Sequence, residues 1–287
     1  MTRPLPFLFS LGFHLMLATV PCAAADDENV DALLAQAKHA FQEGRSDEAM
    51  MLAGRAIEAA PKSVAAHFLR GSFHEALNRH AEAIADFDRV IELDRRNAGA
   101  YDHRGSEQFK LGKIDESIAD FDKAIEIEPA RERAHWKRGI AYYYAGKFQE
   151  GRKQFEGYQT FDDNDVENAV WRYLCMARGE GVEKARDAIL KIKNDRRIPM
   201  MRVHALYAGK ATPDDVLSAA REGEPSPEEL NRRLFYAELY LGLYYEANGM
   251  ATNARTHIDA AVEHHVGHYM WDVARVHAER LKRNAQR

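Results

Sequence analysis

Three groups of residues have types and spacings that could do chemistry. His264 and His268 stand four apart, the separation of two metal ligands on one helix face, with His265 beside them. Gly267 falls between them at an expected helix end, so they read as surface histidines. Asp162, Asp163 and Asp165 alternate like the acids of a calcium loop, but the run lacks the glycine at the sixth loop position and the closing glutamate. It reads as a solvated loop. Cys175 lies in the apolar stretch Ala169 to Met176 with no neighbour that would lower its pKa, and reads as a buried, inert thiol. There is no G-x-S-x-G, no glycine-rich phosphate loop and no H-E-x-x-H, and His74-Glu75 has no second histidine in register. Nothing in residues 199–234 gathers a nucleophile and a base. The expectation is a non-enzyme with no catalytic residue, no metal and no cofactor. Met50-Met51 and Met200-Met201 read as core filler. What remains is a set of aromatic and charged side chains whose use depends on the elements that carry them.

Those elements repeat. Arg70-Gly71, Arg104-Gly105 and Arg138-Gly139 recur every 34 residues, as do Phe87, Phe121 and Phe155. Gly44, Asn78, Gly112 and Gly146 hold one column, and Ala49, Ala83, Ser117 and Gly151 another. Within each period, two amphipathic helices flank a turn. In Tyr101 to Pro129 the second carries Ile114, Ile118, Phe121, Ala124 and Ile125 at helical spacing, and Pro129 stops it. Small residues at the eighth and twentieth places let the helices of a hairpin cross closely, and the twenty-fourth fills the gap to the next hairpin. By this period and these columns the chain is identified as a member of the tetratricopeptide-repeat class. The expected fold is all-α: a solenoid of stacked helical hairpins with units at 30–63, 64–97, 98–131 and 132–165, and a C-terminal capping helix.

In such a stack the first helix of each unit lines the concave side. The second, fifth, ninth, twelfth and thirteenth places then select a groove that includes Lys38, Phe41, Phe68, Ser72, Glu75, Asp102, Phe109, Lys110, Arg133, Trp136, Tyr143 and Tyr144. This surface is rich in aromatics, has few charges, and reads as a binding groove for a peptide or protein segment. The competing reading is that the aromatics are covered, by the chain's own flanking helices or by the twin subunit of a purely structural homodimer. Members of the repeat class that bind chaperone tails hold a carboxylate with Lys, Asn and Arg at set places. Arg133 and Lys137 suit that role, but Phe68 and Ser72 replace the Lys and Asn.

Beyond residue 165 the pattern degrades. Residues 166–234 read as degenerate helical repeats: a helix pair broken at Gly179-Glu180-Gly181, a short helix to Ala208-Gly209, and helix starts at Thr212-Pro213 and Ser226-Pro227. Residues 235–287 read as a closing repeat, with Leu241-Gly242, Gly249 and Ala254 back in register, then a capping helix from Tyr269 to Arg283 that is apolar inside and basic outside. Ala169 to Leu174, Val203 to Lys210, Phe235-Tyr236 and Tyr240 to Tyr245, in this order of elements, resemble the C-terminal part of the NlpI-type bacterial envelope proteins. The resemblance implies an exported, non-catalytic, dimeric adaptor that brings cell-envelope hydrolases and a processing protease together.

The N-terminal residues 1–25 read as a secretory signal: Arg3, an apolar run from Pro4 to Val20, and a small-residue site at Ala23-Ala24-Ala25. Pro21 before Cys22 does not suit lipid attachment, so lipid anchoring and a membrane span in the cleaved chain are not expected. The expected location is the periplasm or the exterior of a bacterial cell. With a formal net charge of −5, the 287-residue chain has no electrostatic footprint for nucleic acid.

Overall fold

The computed structural model describes residues 29–286, which contain fifteen α-helices, one 3-10 helix and no strand. The segment expected to be a signal lies outside the described residues. Four consecutive hairpins come first: α1 and α2 (Val30–Gln42, Ser46–Ala59), α3 and α4 (Val64–Ala76, His80–Leu93), α5 and α6 (Ala98–Lys110, Ile114–Ile127), and α7 and α8 (Trp136–Tyr144, Phe148–Tyr158).

Each hairpin is set by local chemistry that repeats. Asn29, Ser63, Asn97 and Asp165 cap the inner helices α1, α3, α5 and α9 (Val166–Glu180), accepting a backbone N–H of the first turn at 2.9–3.2 Å. Arg131 occupies this column in the fourth unit and cannot accept. There the chain runs as a 3-10 helix, Pro129–Ala134, and α7 begins only at Trp136, with His135 as its cap. The turns need a left-handed residue: Gly112 takes φ +75° while its N–H reaches the Phe109 carbonyl at 2.8 Å and that of Lys113 the Gln108 carbonyl at 2.9 Å.

The helices of a hairpin cross at the small-residue column. A Cβ at position 105 would lie 2.9 Å from the Phe121 ring, and one at 139 would lie 2.6 Å from that of Phe155. The aromatic column therefore packs first onto its own hairpin. It also reaches the next, since Phe87 stacks on His103 at 5.2 Å.

Polar side chains tie the hairpins into a stack. Arg104 clamps Asp120 of its own unit at 2.7 and 2.6 Å, and Asp88 of the unit before it at 2.6 Å. Arg138 repeats the arrangement with Gln154 and Asp122, and Arg172 holds Glu156 and the Ala188 carbonyl. Arg172 continues the 34-residue arginine column into α9, where Tyr173 has replaced the glycine.

After α9 come α10 (Val182–Asp187), α11 (Met200–Tyr207), α12 (Pro213–Arg221), the long α13 (Pro227–Ala247), α14 (Ala251–Glu263) and α15 (Tyr269–Ala285). Thr212 and Asp215 form a capping box at α12, and Ser226 caps α13. Gly242 meets Ile258 across the α13–α14 crossing as the repeat glycines do across theirs. One large core runs from Phe109 through α9 and α13 to Ala278, while α1–α3 and α3–α5 enclose two smaller ones.

Two expectations change here. Met51 is 56% exposed and fills no core. The last helix packs against α14 as a cap would, but it does more than close the stack. It turns back along the inner helices α5 and α7, because its apolar side (Met270, Val273, Ala274, Val276, Ala278) finds there the aromatic wall it needs.

Candidate functional site: the concave face

The side chains selected for the groove fall into two parts. At the far end the groove is filled by α15. Tyr269 stacks on Phe109 at 5.5 Å and meets Trp136 edge-on at 5.3 Å. The Tyr144 hydroxyl lies 3.0 Å from His277 Nδ1, and Arg280 sits 5.1 Å over the Tyr144 ring. Arg275 donates to the Lys110 carbonyl at 2.7 Å. Phe109, Lys110 and Tyr143 are buried as a result, at 0%, 7% and 1% exposure. The expectation that Phe109, Trp136, Tyr143 and Tyr144 anchor an outside partner is therefore corrected: these rings form a core with α15, and the cover comes from the same chain. Arg133 does not line the groove either. It lies on the 3-10 helix and is exposed, for want of a cap at position 131.

At the near end the inner face stays open. Lys38 is exposed, Phe41 is half-buried and stacked on Phe73 at 4.4 Å, and Phe68 is half-buried between Phe87 and His103. The open face leads to a hollow of about 300 Å³ between α3, α5 and the α14–α15 loop, bordered by Glu75, Lys137, His268 and Asp272.

The floor at this junction is charged, where few charges were expected. Glu75 pairs with His103 at 2.6 Å and Lys110 at 3.6 Å. Lys110 pairs with Glu107 at 2.5 Å, and Glu107 with His80 at 2.6 Å. Asp102 pairs with His135 at 2.9 Å and faces Lys137 at 3.4 Å, while Lys137 also donates to Ser106 at 3.0 Å. Burial alone would raise the Asp102 carboxyl, but the His135 hydrogen bond and the Lys137 charge hold it well below the carboxylate range. Burial alone would lower the Lys110 ammonium, and Glu107 overcomes it and raises the pKa. Both ions are thus fixed in their charged forms, as groups that bind by charge and hydrogen bonding must be.

Of this network, sequence reasoning selected Glu75, Asp102, Lys110 and Lys137 and missed Glu107, His80, His103 and His135. The repeat itself carried the signal: an acid on one inner helix meets a histidine of a neighbouring unit, as Glu75–His103 and Asp102–His135 do.

The other chemical candidates do not assemble. Cys175 is buried against Gly151, and burial pushes its thiol far up. His264 bonds Asn231, His265 packs on Trp271, and His268 caps α15. Asp165 is more than a loop residue, since it caps α9 and binds Arg197 at 2.6 Å. Among the described residues, no three His, Cys, Asp or Glu side chains are placed to hold a metal ion, and no helix is long and apolar enough to cross a membrane.

Residues 34–98 match the sequence profile of the tetratricopeptide repeat, and residues 105–146 match a second profile described as TPR repeat. A tetratricopeptide repeat protein from Parabacteroides merdae ATCC 43184 is similar over 85% of this chain and 96% of its own, with 13% identity and a TM-score of 0.58. MamA from Desulfovibrio magneticus RS-1 is similar over 56% of this chain and 90% of its own, with 15% identity and a TM-score of 0.52. The first TPR of Spaghetti (RPAP3), bound to an HSP90 peptide, shares 28% identity over 36% of this chain and 82% of its own, at a TM-score of 0.35. A search of curated proteins returned no match. Residues 34–98 and 105–146 thus carry tetratricopeptide repeats, and the described chain has an all-α solenoid fold.

Proposed function

We propose that the protein is a non-catalytic adaptor that holds a segment of another protein along the inner face of α1, α3 and α5. One observation carries this reading. The concave face is closed by α15 over the fourth hairpin but left open over the first two, where it ends in a floor of paired charges. Apolar contact with Phe41 and Phe68 would supply affinity, and polar contacts around Lys137 would supply direction. Resemblance to the NlpI-type proteins and the N-terminal signal pattern support the finer reading of an exported adaptor in the bacterial envelope that gathers hydrolases or a protease. The homodimer alternative, with a groove filled by a twin, loses part of its motive, because the chain covers its own aromatic wall. Crosslinking in intact cells, followed by identification of the captured proteins, tests the proposal. Lys38→Glu, at an exposed position of the open face, is expected to reduce the captured protein severalfold while leaving the melting temperature within about 2 °C, as surface changes do, and Ser72→Arg, at a half-buried position, to reduce capture at least as much. Unchanged capture in both variants, or self-crosslinks alone, would count against it.

A further inference from the structure

A second hollow, distinct from the groove, lies between the fourth hairpin and α9. Its volume is about 200 Å³, and its walls include the aromatic rings of Trp136, Phe155, Tyr158 and Trp171. At about 30 Å³ per water it has room for more than a single solvent molecule. Tyr158, Asp165 and Arg197 line both this cavity and a wider surface hollow of about 560 Å³, so the two hollows adjoin at these residues.

Two polar atoms on its wall residues are left over. Trp171 is 1% exposed and Asn168 3%, and neither Trp171 Nε1 nor Asn168 Oδ1 has a hydrogen-bond partner among the described residues. The Asn168 nitrogen donates to Gln159 Oε1 at 3.1 Å, which fixes the amide so that its oxygen is the free end. The nearby carboxylate of Glu167 is already engaged, by the Tyr240 hydroxyl at 2.5 Å and by Arg197 at 2.5 Å. Asp165 is held by Arg197. The wall residues of the cavity therefore leave one donor, on Trp171, and one acceptor, on Asn168, without a partner. Buried polar groups are nearly always paired in folded proteins, so two unpaired ones around one cavity point to a ligand.

We propose that this cavity binds a small uncharged aromatic carboxamide. Its carbonyl accepts the Trp171 indole N–H, its N–H donates to Asn168 Oδ1, and its ring packs edge-on or offset against Trp136, Phe155 and Tyr158. A carboxylate of the same size has no donor for Asn168 and would sit beside Asp165. An ammonium has no acceptor for Trp171. The inference stands apart from the adaptor reading, since none of the open groove residues takes part.

The test uses the full chain and three probes that share a phenyl ring: phenylacetamide, phenylacetate and 2-phenylethylammonium. Trp136 and Trp171 are two of the three tryptophans, so intrinsic fluorescence reads the cavity directly, with calorimetry as a check. Phenylacetamide is expected to give a saturable change at least about tenfold tighter than either charged probe, and Trp171→Phe, which keeps the ring but removes the donor, to weaken it about tenfold by calorimetry. If Trp171→Phe does not fold, the comparison of the three probes on the native chain decides. No saturable binding of the amide, equal binding of all three, or preference for the ammonium would overturn the proposal.

Discussion

Gly139 shows how little freedom the repeat columns leave. Any side chain there runs into the Phe155 ring, with the first added carbon 2.6 Å from Phe155 Cζ, and Phe155 is itself 1% exposed. Gly139→Ala is therefore expected to cost about 1–3 kcal/mol by overpacking, read as a lower denaturation midpoint at unchanged slope. His277 is the other residue with a definite forecast. It is fully buried, and burial pushes its pKa from 6.5 down to about 3, helped by the charge of Arg280 and opposed by Glu246. Tyr144, Glu246, Arg178 and Arg280 are the polar and charged groups around it. The unfolded chain takes up a proton near pH 6.5 that the folded chain refuses until about pH 3. This contribution to stability is complete above about pH 6.5 and lost as pH falls through that window. Unfolding measured from pH 7 to pH 4 should show stability dropping faster in the native chain than in His277→Gln, and equal slopes would show that His277 is not held neutral. At this scale much was legible in the sequence: the glycine, aromatic and turn columns each met the partner their spacing required. The roles of His277 and Glu107 were not, because each depends on a partner outside its own helix.

Among the elements, α15 decides what the concave face can do. Its composition resembled a terminal cap, and it does pack on α14, but only the fold shows that it also returns to α5 and α7. The physical reason is visible in retrospect. Phe109, Trp136, Tyr143 and Tyr144 form a wall too apolar to face water, and the helix most able to cover it is the one with Tyr269, Met270 and Val273 on its first turns. Tyr269→Ala removes the ring that stacks on Phe109 and meets Trp136, and should destabilise the fold by about 3 kcal/mol. The same change is expected to raise hydrogen exchange in α7 and α15 more than in α1 and α2. Equal acceleration throughout would mean that α15 does not serve as a local lock. The late start of α7 was likewise readable only with the caps aligned, since position 131 breaks a column that positions 29, 63, 97 and 165 keep.

At the scale of the whole molecule, the chain divides into a closed body and an open arm. The body, from α5 onward, shares one continuous core, and the arm, α1 to α4, depends on two small ones and on the arginine clamps. The solenoid and its first four hairpins could be read from a period of 34 residues, while the division could not, since it arises from contacts such as Tyr144–His277 that lie 133 residues apart. The division is what confines the proposed partner to the first hairpins. It can be tested with a photo-crosslinking residue placed in turn at position 72 on the open face and at position 136 under α15, in intact cells. The account predicts crosslinks from position 72 to another protein and crosslinks from position 136 only within the chain, to the start of α15 around Tyr269. Capture of an outside protein from position 136, or internal crosslinks alone from position 72, would contradict it.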